Sequence, residues 1–313
     1  GITHVQLMPI FDFGSSMYNW GYDPVNYNVP EEQYSTVPNS DTLAEYKKRI
    51  REVKTMVNQF HANDLRVIMD VVYNHTQNKG VFKKITDKYY TEADYSGCGN
   101  SLDTGNHMVS KMIRDSLVYW LEAYNIDGFR FDLMGAFHDE VVRRWGEYLQ
   151  EKFPDRKLLL HGEPWAPGSP GSGRVKKKDL ENLELARIGA FNNHIRSAVT
   201  GSVMGTEAGG YMFNKASSED VQYLPDKILG SDYITADPAQ TTNYISAHDN
   251  FCLWDNIKVE FADDSNLKMS TGREYAEKID KFAIGIVMTS QGIPFIHGGD
   301  EMLRTKLDDA ASR

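Results

Sequence analysis

The stretch GFRFDLM (128–134) alternates Phe129, Phe131 and Leu133 with Arg130, Asp132 and Met134. On a strand, side chains alternate between faces, so Arg130 and Asp132 share one face and the phenylalanines the other. Alone, such an Arg-x-Asp reads as a structural ion pair. Three further stretches also carry polar groups at the end of an apolar run. Asp70, Asn74 and His75 lie in and just after VIMDVVYNH (67–75), Glu163 ends LLLHGEP (158–164), and His248 with Asp249 ends YISAHD (244–249). Metal sites favour histidines at i, i+4 on a helix or several liganding carboxylates. Here the histidines follow strands singly, each beside Asn or Asp, and no metal ligand set is assigned. The other chemistry open to this set is acid–base work such as glycoside cleavage, with one carboxylate ionised and another protonated. Arg130 is placed to hold Asp132 charged. Glu163, on a strand that otherwise presents apolar groups, is expected to be the carboxyl with the raised pKa. Asp70 lies mid-strand, where orienting its neighbours and touching a ligand are equal readings.

These residues need elements that bring them together. Apolar runs at 3–10, 66–75, 126–133, 157–164, 187–192, 241–249 and 293–301 predict seven strands. Between them, helices are predicted over 40–61, 106–125, 139–151, from 192 to about 199, and over 275–289. The first has an apolar stripe of Leu43, Tyr46, Ile50, Val53, Val57 and Phe60, with Thr42 and Glu45 spaced for a capping box. The second turns Met108, Met112, Leu117, Trp120, Leu121 and Tyr124 inward. Two polar stretches break the rhythm: 76–105, a short excursion, and 201–240, a long loop. Repeated strand–helix units imply a parallel α/β sheet. No G-x-G-x-x-G follows a strand, so a dinucleotide-binding sheet has no support. The count favours a (β/α)8 TIM-type barrel that occupies all of 1–313. It would lack its first strand–helix unit and its last helix. In such a barrel the carboxyl ends of all strands open on one face, where the polar groups above would converge.

Composition narrows the partners. Of 313 residues, 44 are acidic and 34 basic, for a net charge of −10. This argues against nucleic acid or an anionic membrane, both of which call for basic patches. Cys98 and Cys252 are the only cysteines, too few for a disulfide framework or a cysteine metal cluster. No run is long and apolar enough to cross a bilayer. The chain opens on Gly-Ile-Thr-His and enters a strand at once, as expected of a piece of a longer protein. A secreted or cell-surface setting is favoured slightly over a cytoplasmic one.

DVVYNHT (70–76), GFRFDLM, GEPW (162–165) and YISAHDN (244–250) together resemble, in order, the four signature segments of the α-amylase superfamily, glycoside hydrolase family thirteen. YNWGYDP (18–24) and FDLMG (131–135) resemble the type I pullulanase branch. The likeness runs from residue 1 to about 301. It implies a retaining hydrolase of α-1,6-glucosidic branch linkages in pullulan, amylopectin and limit dextrins. Asp132 would be nucleophile, Glu163 acid and base, and Asp249 the third carboxylate, bonded to sugar hydroxyls at subsite −1. His75 and His248 would bind the same sugar, Arg130 would orient Asp132, Tyr22 would stack at −1, and Trp165 would wall the leaving-group side. Asp70 and Asn74 would organise the loop after their strand. No cofactor is required by this chemistry. The Asn matching Asn74 is a calcium ligand in many amylases, but 76–105 is shorter than the usual calcium-binding excursion, and a structural calcium stays open. Pullulanases often carry Gly where this chain has Pro164, and Pro removes a backbone donor. The alternatives within the superfamily are an α-1,4-acting amylase, a branching transglycosylase, or a non-catalytic carbohydrate-binding member. The last usually lacks part of the carboxylate trio, which is complete here.

Overall fold

The computed structural model describes residues 1–14, 19–38, 41–168, 173–201, 209–230, 237–261 and 270–306. The chain forms two compact units, Gly1–Gly189 and Ala190–Arg313.

In the first unit, four parallel strands run in the order β1 (His4–Leu7), β4 (Arg66–Val71), β5 (Gly128–Phe131) and β6 (Leu159–Gly162). The register pairs Asp70 with Arg130, and Arg130 with His161. An antiparallel pair, β2 (Phe11–Phe13) and β3 (Pro24–Pro30), stands apart from this sheet and was not expected from the sequence. Its strands are a three-residue one and PVNYNVP, whose prolines mask the alternation. The helices are α1 (Leu43–His61), a single turn α2 (Gly80–Lys83), α3 (His107–Tyr124) and α4 (Asp139–Lys152).

Local chemistry accounts for several boundaries. Thr42 caps α1 in a full capping box with Glu45, as its spacing predicted. The stripe of α1 is used only in part: Val57 is fully buried, whereas Leu43 and Tyr46 are exposed. On α3 the buried face runs through Val109, Ile113, Leu117, Trp120, Leu121 and Tyr124, while Met108 is exposed. The i, i+4 series from Val109 carries the stripe, and Met108 stands one position off it. Phe131 stacks on Trp145 of α4 with ring centroids 6.4 Å apart, which seats α4 under β5.

The second unit opens within β7 (Ile188–Asn192), which pairs in parallel with β8 (Thr241–Asn243), itself paired with β9 (Ile293–Pro294). Around them lie α5 (Asn193–Thr200), α6 (Ser218–Ile228), α7 (Leu253–Phe261) and α8 (Ser270–Thr289). Helix α6 corrects the expectation of a loop over 201–240, of which 202–208 and 231–236 lie outside the described residues. The polar composition of the stretch made it read as a loop, and α6 carries Pro225 inside it as well. The strand expected over 241–249 stops at Asn243, and that expected over 293–301 stops at Pro294. Apolar residues continue past β8 because the turn there is buried as well, with Tyr244 and Ile245 at 3% and 2% exposure, whereas Phe295 and Ile296 after β9 are only partly buried. The core is aliphatic, built on Ile195, Val199, Ile245, Leu253, Ile257, Ala283 and Val287.

The parallel α/β class read from the sequence is therefore the observed one: strand–helix repeats of a (β/α) barrel segment.

Candidate active site

The site assembles at the carboxyl ends of β4, β5 and β6. Arg130 is its centre, 2% exposed. Its Nη1 donates to Asp70 Oδ1 at 2.9 Å and to Asp132 Oδ1 at 2.8 Å, and its Nη2 lies 2.6 Å from Glu163 Oε1. One guanidinium thus holds three carboxylates from three strands. The period-two argument placed Arg130 and Asp132 on one face, and they do share it.

Asp132 is the first residue past β5. Asn74 Nδ2 donates both to its Oδ2, at 2.8 Å, and to its backbone carbonyl, at 2.9 Å. The chain then turns sharply, with Leu133 at φ +41°, a left-handed conformation that a non-glycine residue adopts at a cost. In that turn the Leu133 N–H points at Glu163 Oε2, 2.9 Å away.

Both Glu163 oxygens are therefore engaged, one by Arg130 and one by a backbone donor. This corrects the apolar setting expected for Glu163. The strand's alternation hides that the guanidinium from β5 reaches across to it. The next turn closes the site. The Gly135 N–H donates to the Glu163 carbonyl at 3.0 Å and the Trp165 carbonyl at 3.2 Å. The contact uses carbonyls on either side of Pro164, so the donor that proline lacks is not needed there. Trp165, two residues past Glu163, is half-buried. Within the loop 166–175, residues 169–172 lie outside the described residues.

Asp70 is the group that the sequence left between two readings. At 1% exposure it accepts from Arg130 and, at 2.6 Å, from the Tyr22 hydroxyl, so it orients neighbours. Burial pushes its pKa up to about 6, against the opposing pull of Arg130. The Tyr22 ring lies over the guanidinium, 5.9 Å from Cζ to centroid. The segment before it explains its own composition. Gly21, at φ +95°, donates its N–H to Asn19 Oδ1 at 2.8 Å, and Asn19 Nδ2 donates to Asp23 Oδ1 at 2.7 Å. This knot fixes the direction of Tyr22. Tyr18, the first residue of the segment, lies outside the described residues.

His75 is 4% exposed, with Nδ1 against Asn74 Oδ1 at 2.5 Å and a further hydrogen bond to the Tyr22 backbone. Burial lowers its pKa, opposed by Asp132, which favours a neutral imidazole. Asn74 thus spends its amide on Asp132 and its oxygen on His75. Among the described residues, no group of three or more His, Cys, Asp or Glu side chains is arranged to hold a metal ion.

His248 and Asp249 belong to the second unit. They do not end a strand but follow β8 by five and six residues. His248 Nε2 lies 3.5 Å from Asp249 Oδ1, and the Asp249 side chain is 59% exposed. Behind them, Asp255 and Lys306 form a buried ion-bearing cluster that the sequence did not reveal, since Lys306 lies 57 residues beyond Asp249.

No protein-family model matches the sequence. Individual relatives do. A pullulanase of Bacillus subtilis (strain 168) is 33% identical over 98% of this chain and 44% of its own length. A pullulanase of Klebsiella pneumoniae is 32% identical over 92% of this chain and 30% of its own. Among solved structures, a pullulanase from Bacillus acidopullulyticus superposes with a TM-score of 0.87 at 37% identity, over 98% of this chain and 38% of the other. A pullulanase from Paenibacillus barengoltzii, in complex with maltohexaose and α-cyclodextrin, gives 0.85 at 35% identity, over 97% and 49%. The chain spans less than half the length of each of these relatives. Shared sequence along nearly the whole chain, with the same fold, places it: the chain belongs to the type I pullulanase branch of the α-amylase superfamily.

Proposed function

We propose that the protein to which this chain belongs is a retaining glycoside hydrolase that cleaves α-1,6 branch linkages in α-glucans. One observation carries the reading. Asp132 and Glu163 sit on neighbouring nitrogens of the Arg130 guanidinium, under the Tyr22 ring. Such a close carboxylate pair suits double displacement, which in retaining enzymes uses carboxyl groups only about 5–5.5 Å apart.

In this mechanism Asp132 Oδ attacks the anomeric carbon while Glu163, protonated, gives its proton to the departing glycosidic oxygen. A covalent glycosyl ester forms on Asp132 and the glycosidic bond breaks. Water then attacks the same carbon, Glu163 takes its proton, and the ester bond to Asp132 breaks. Asn74 and Arg130 hold the Asp132 carboxylate in line. Tyr22 stacks on the sugar, and neutral His75 bonds its hydroxyls. The family resemblance assigns Asp249 and His248, on the second unit, a sugar-binding role as well. Trp165 borders the leaving-group side. The substrate class follows from the solved relatives, which bind maltohexaose and maltotetraose. No step in this mechanism calls for a cofactor.

The test is pullulan digestion by the full-length protein, with oligosaccharide products separated. Maltotriose as product supports the reading, whereas attack confined to linear α-1,4 maltooligosaccharides would replace it with the amylase alternative. Asp132→Asn should lower kcat by about 10⁴-fold or more. Full activity in that variant would remove Asp132 from its role.

A further inference from the structure

The Asp249 loop of the second unit is exposed at its tip and clamped from beneath. Asp249 and Asn250 are exposed, and Asn250 is left-handed at φ +60°. Below them lies Lys306, 3% exposed. Its ammonium donates to the backbone carbonyls of His248 and Asn250, the latter at 2.9 Å. These two carbonyls flank Asp249 on both sides. A lysine with little contact to water is held by a built receptor. Its own backbone N–H donates to Asp255 Oδ2 at 2.6 Å, and the Thr305 hydroxyl donates to Asp255 Oδ1. Asp255, in the first turn of α7, is fully buried. Cys252 Sγ lies 2.9 Å from the same Asp255 Oδ2 and 2.7 Å from the Arg304 carbonyl. Burial pushes the Cys252 thiol up to about 12, so it stays a neutral donor. At the other end of the loop, the Ser246 hydroxyl donates to buried Asp300.

A buried ammonium costs several kcal/mol unless it is repaid by partners. An apolar residue of similar length would fill the space more cheaply. What only a cation with several donors can do here is bind two carbonyls that face one point, which fixes the 248–249 and 250–251 peptide planes and so brackets residue 249. The side chain of Asp249 is too exposed to be fixed by packing.

We propose that Lys306, anchored by Asp255, is a positioning residue that sets the direction of the Asp249 carboxylate through the backbone of residues 248–250. The proposal rests on the role given to Asp249 above. A catalytic contribution through geometry alone is in scale with known effects, since misplacing a group by about 1 Å costs on the order of 100-fold.

The test uses the full-length protein and the variants Lys306→Met, Asp249→Asn and the double variant, with hydrogen–deuterium exchange over residues 246–251. Lys306→Met should lower kcat on pullulan about 100-fold with KM little changed, and should speed exchange in the loop. In the Asp249→Asn background it should add no further loss, because the two residues act as one unit. A Lys306→Met enzyme as active as the wild type would overturn the proposal. So would losses that multiply in the double variant, or lost activity with unchanged exchange. Should Lys306→Met fail to fold, Asp255→Asn carries the same expectations, since it frees the anchor while keeping its shape. If the wild type does not attack pullulan, the debranching reading fails by itself, and the exchange measurement still decides whether Lys306 holds the loop.

Discussion

Gly135 and Trp165 are in backbone contact so close that no side chain fits between them. A Cβ on Gly135 would lie 2.4 Å from the Trp165 carbonyl carbon. The Gly135 N–H also bonds the carbonyls of Glu163 and Trp165, so the turn after Asp132 is stitched directly to the segment that carries Glu163. Spacing between the two candidate catalytic carboxylates is set by this contact as much as by Arg130.

Gly135→Ala should therefore damage activity more than stability. The methyl group must push the 163–165 backbone away, at a cost of about 1–3 kcal/mol. A displacement of about 1 Å at Glu163 should lower kcat on the order of 100-fold. Melting curves and pullulan kinetics on the same preparation check it. A variant with lowered Tm but wild-type kcat would show that the stitch does not set the geometry.

Tyr22 does two things that substitution can separate. Its hydroxyl bonds Asp70 at 2.6 Å, and its ring covers Arg130. Tyr22→Phe keeps the ring and removes one of two donors to Asp70 Oδ2, leaving Arg130 Nη1 as the other, which should cost about tenfold in kcat. Tyr22→Ala removes the platform as well and should raise KM for branched dextrins severalfold beyond that. Equal KM for the two variants would argue against stacking on the ring.

A pH effect is built into the second unit, away from Asp249. Asp280 on α8 and Asp300 after β9 are 2% and 0% exposed, and neither Oδ1 has a hydrogen-bond partner among the described residues. Burial first, then the charge of Asp300, pushes Asp280 up to about 7 from an ordinary 3.8. The folded chain then holds this proton more tightly than the unfolded chain. The stability tied to it is full below 3.8 and is lost as pH rises through about 7. Asp280→Asn should raise Tm by a few degrees at pH 8 and leave it unchanged near pH 4. Thermal melts across that range test it, and a gain that is independent of pH would assign the effect to packing instead.

Much of the first unit was legible in the residues. The near-continuous apolar run around Ile68 and Met69 marks a strand covered on both faces, and Thr42 with Glu45 marks the start of α1. The face shared by Arg130 and Asp132 follows from alternation alone. Other features were hidden for identifiable reasons. The polar composition of 201–240 disguised α6, and the buried Tyr244 and Ile245 made β8 read six residues too long. Apolar spacing around Met108 offered two helical faces, and packing chose the one through Val109.

By itself the sequence determined the parallel α/β class, the order of the parallel strands, and the identity of the polar groups that follow them, because each depends on local periodicity and on residue type. Only the tertiary structure decided which polar groups share a partner. That Asp70 orients Tyr22 and Arg130, that Glu163 sits on the same guanidinium as Asp132, and that Lys306 reaches the carbonyls beside Asp249 are facts about residues 30 to 60 positions apart. Such contacts leave no periodic trace in the chain. They exist because a buried charge must find its counter-charge or donor wherever folding brings one within reach.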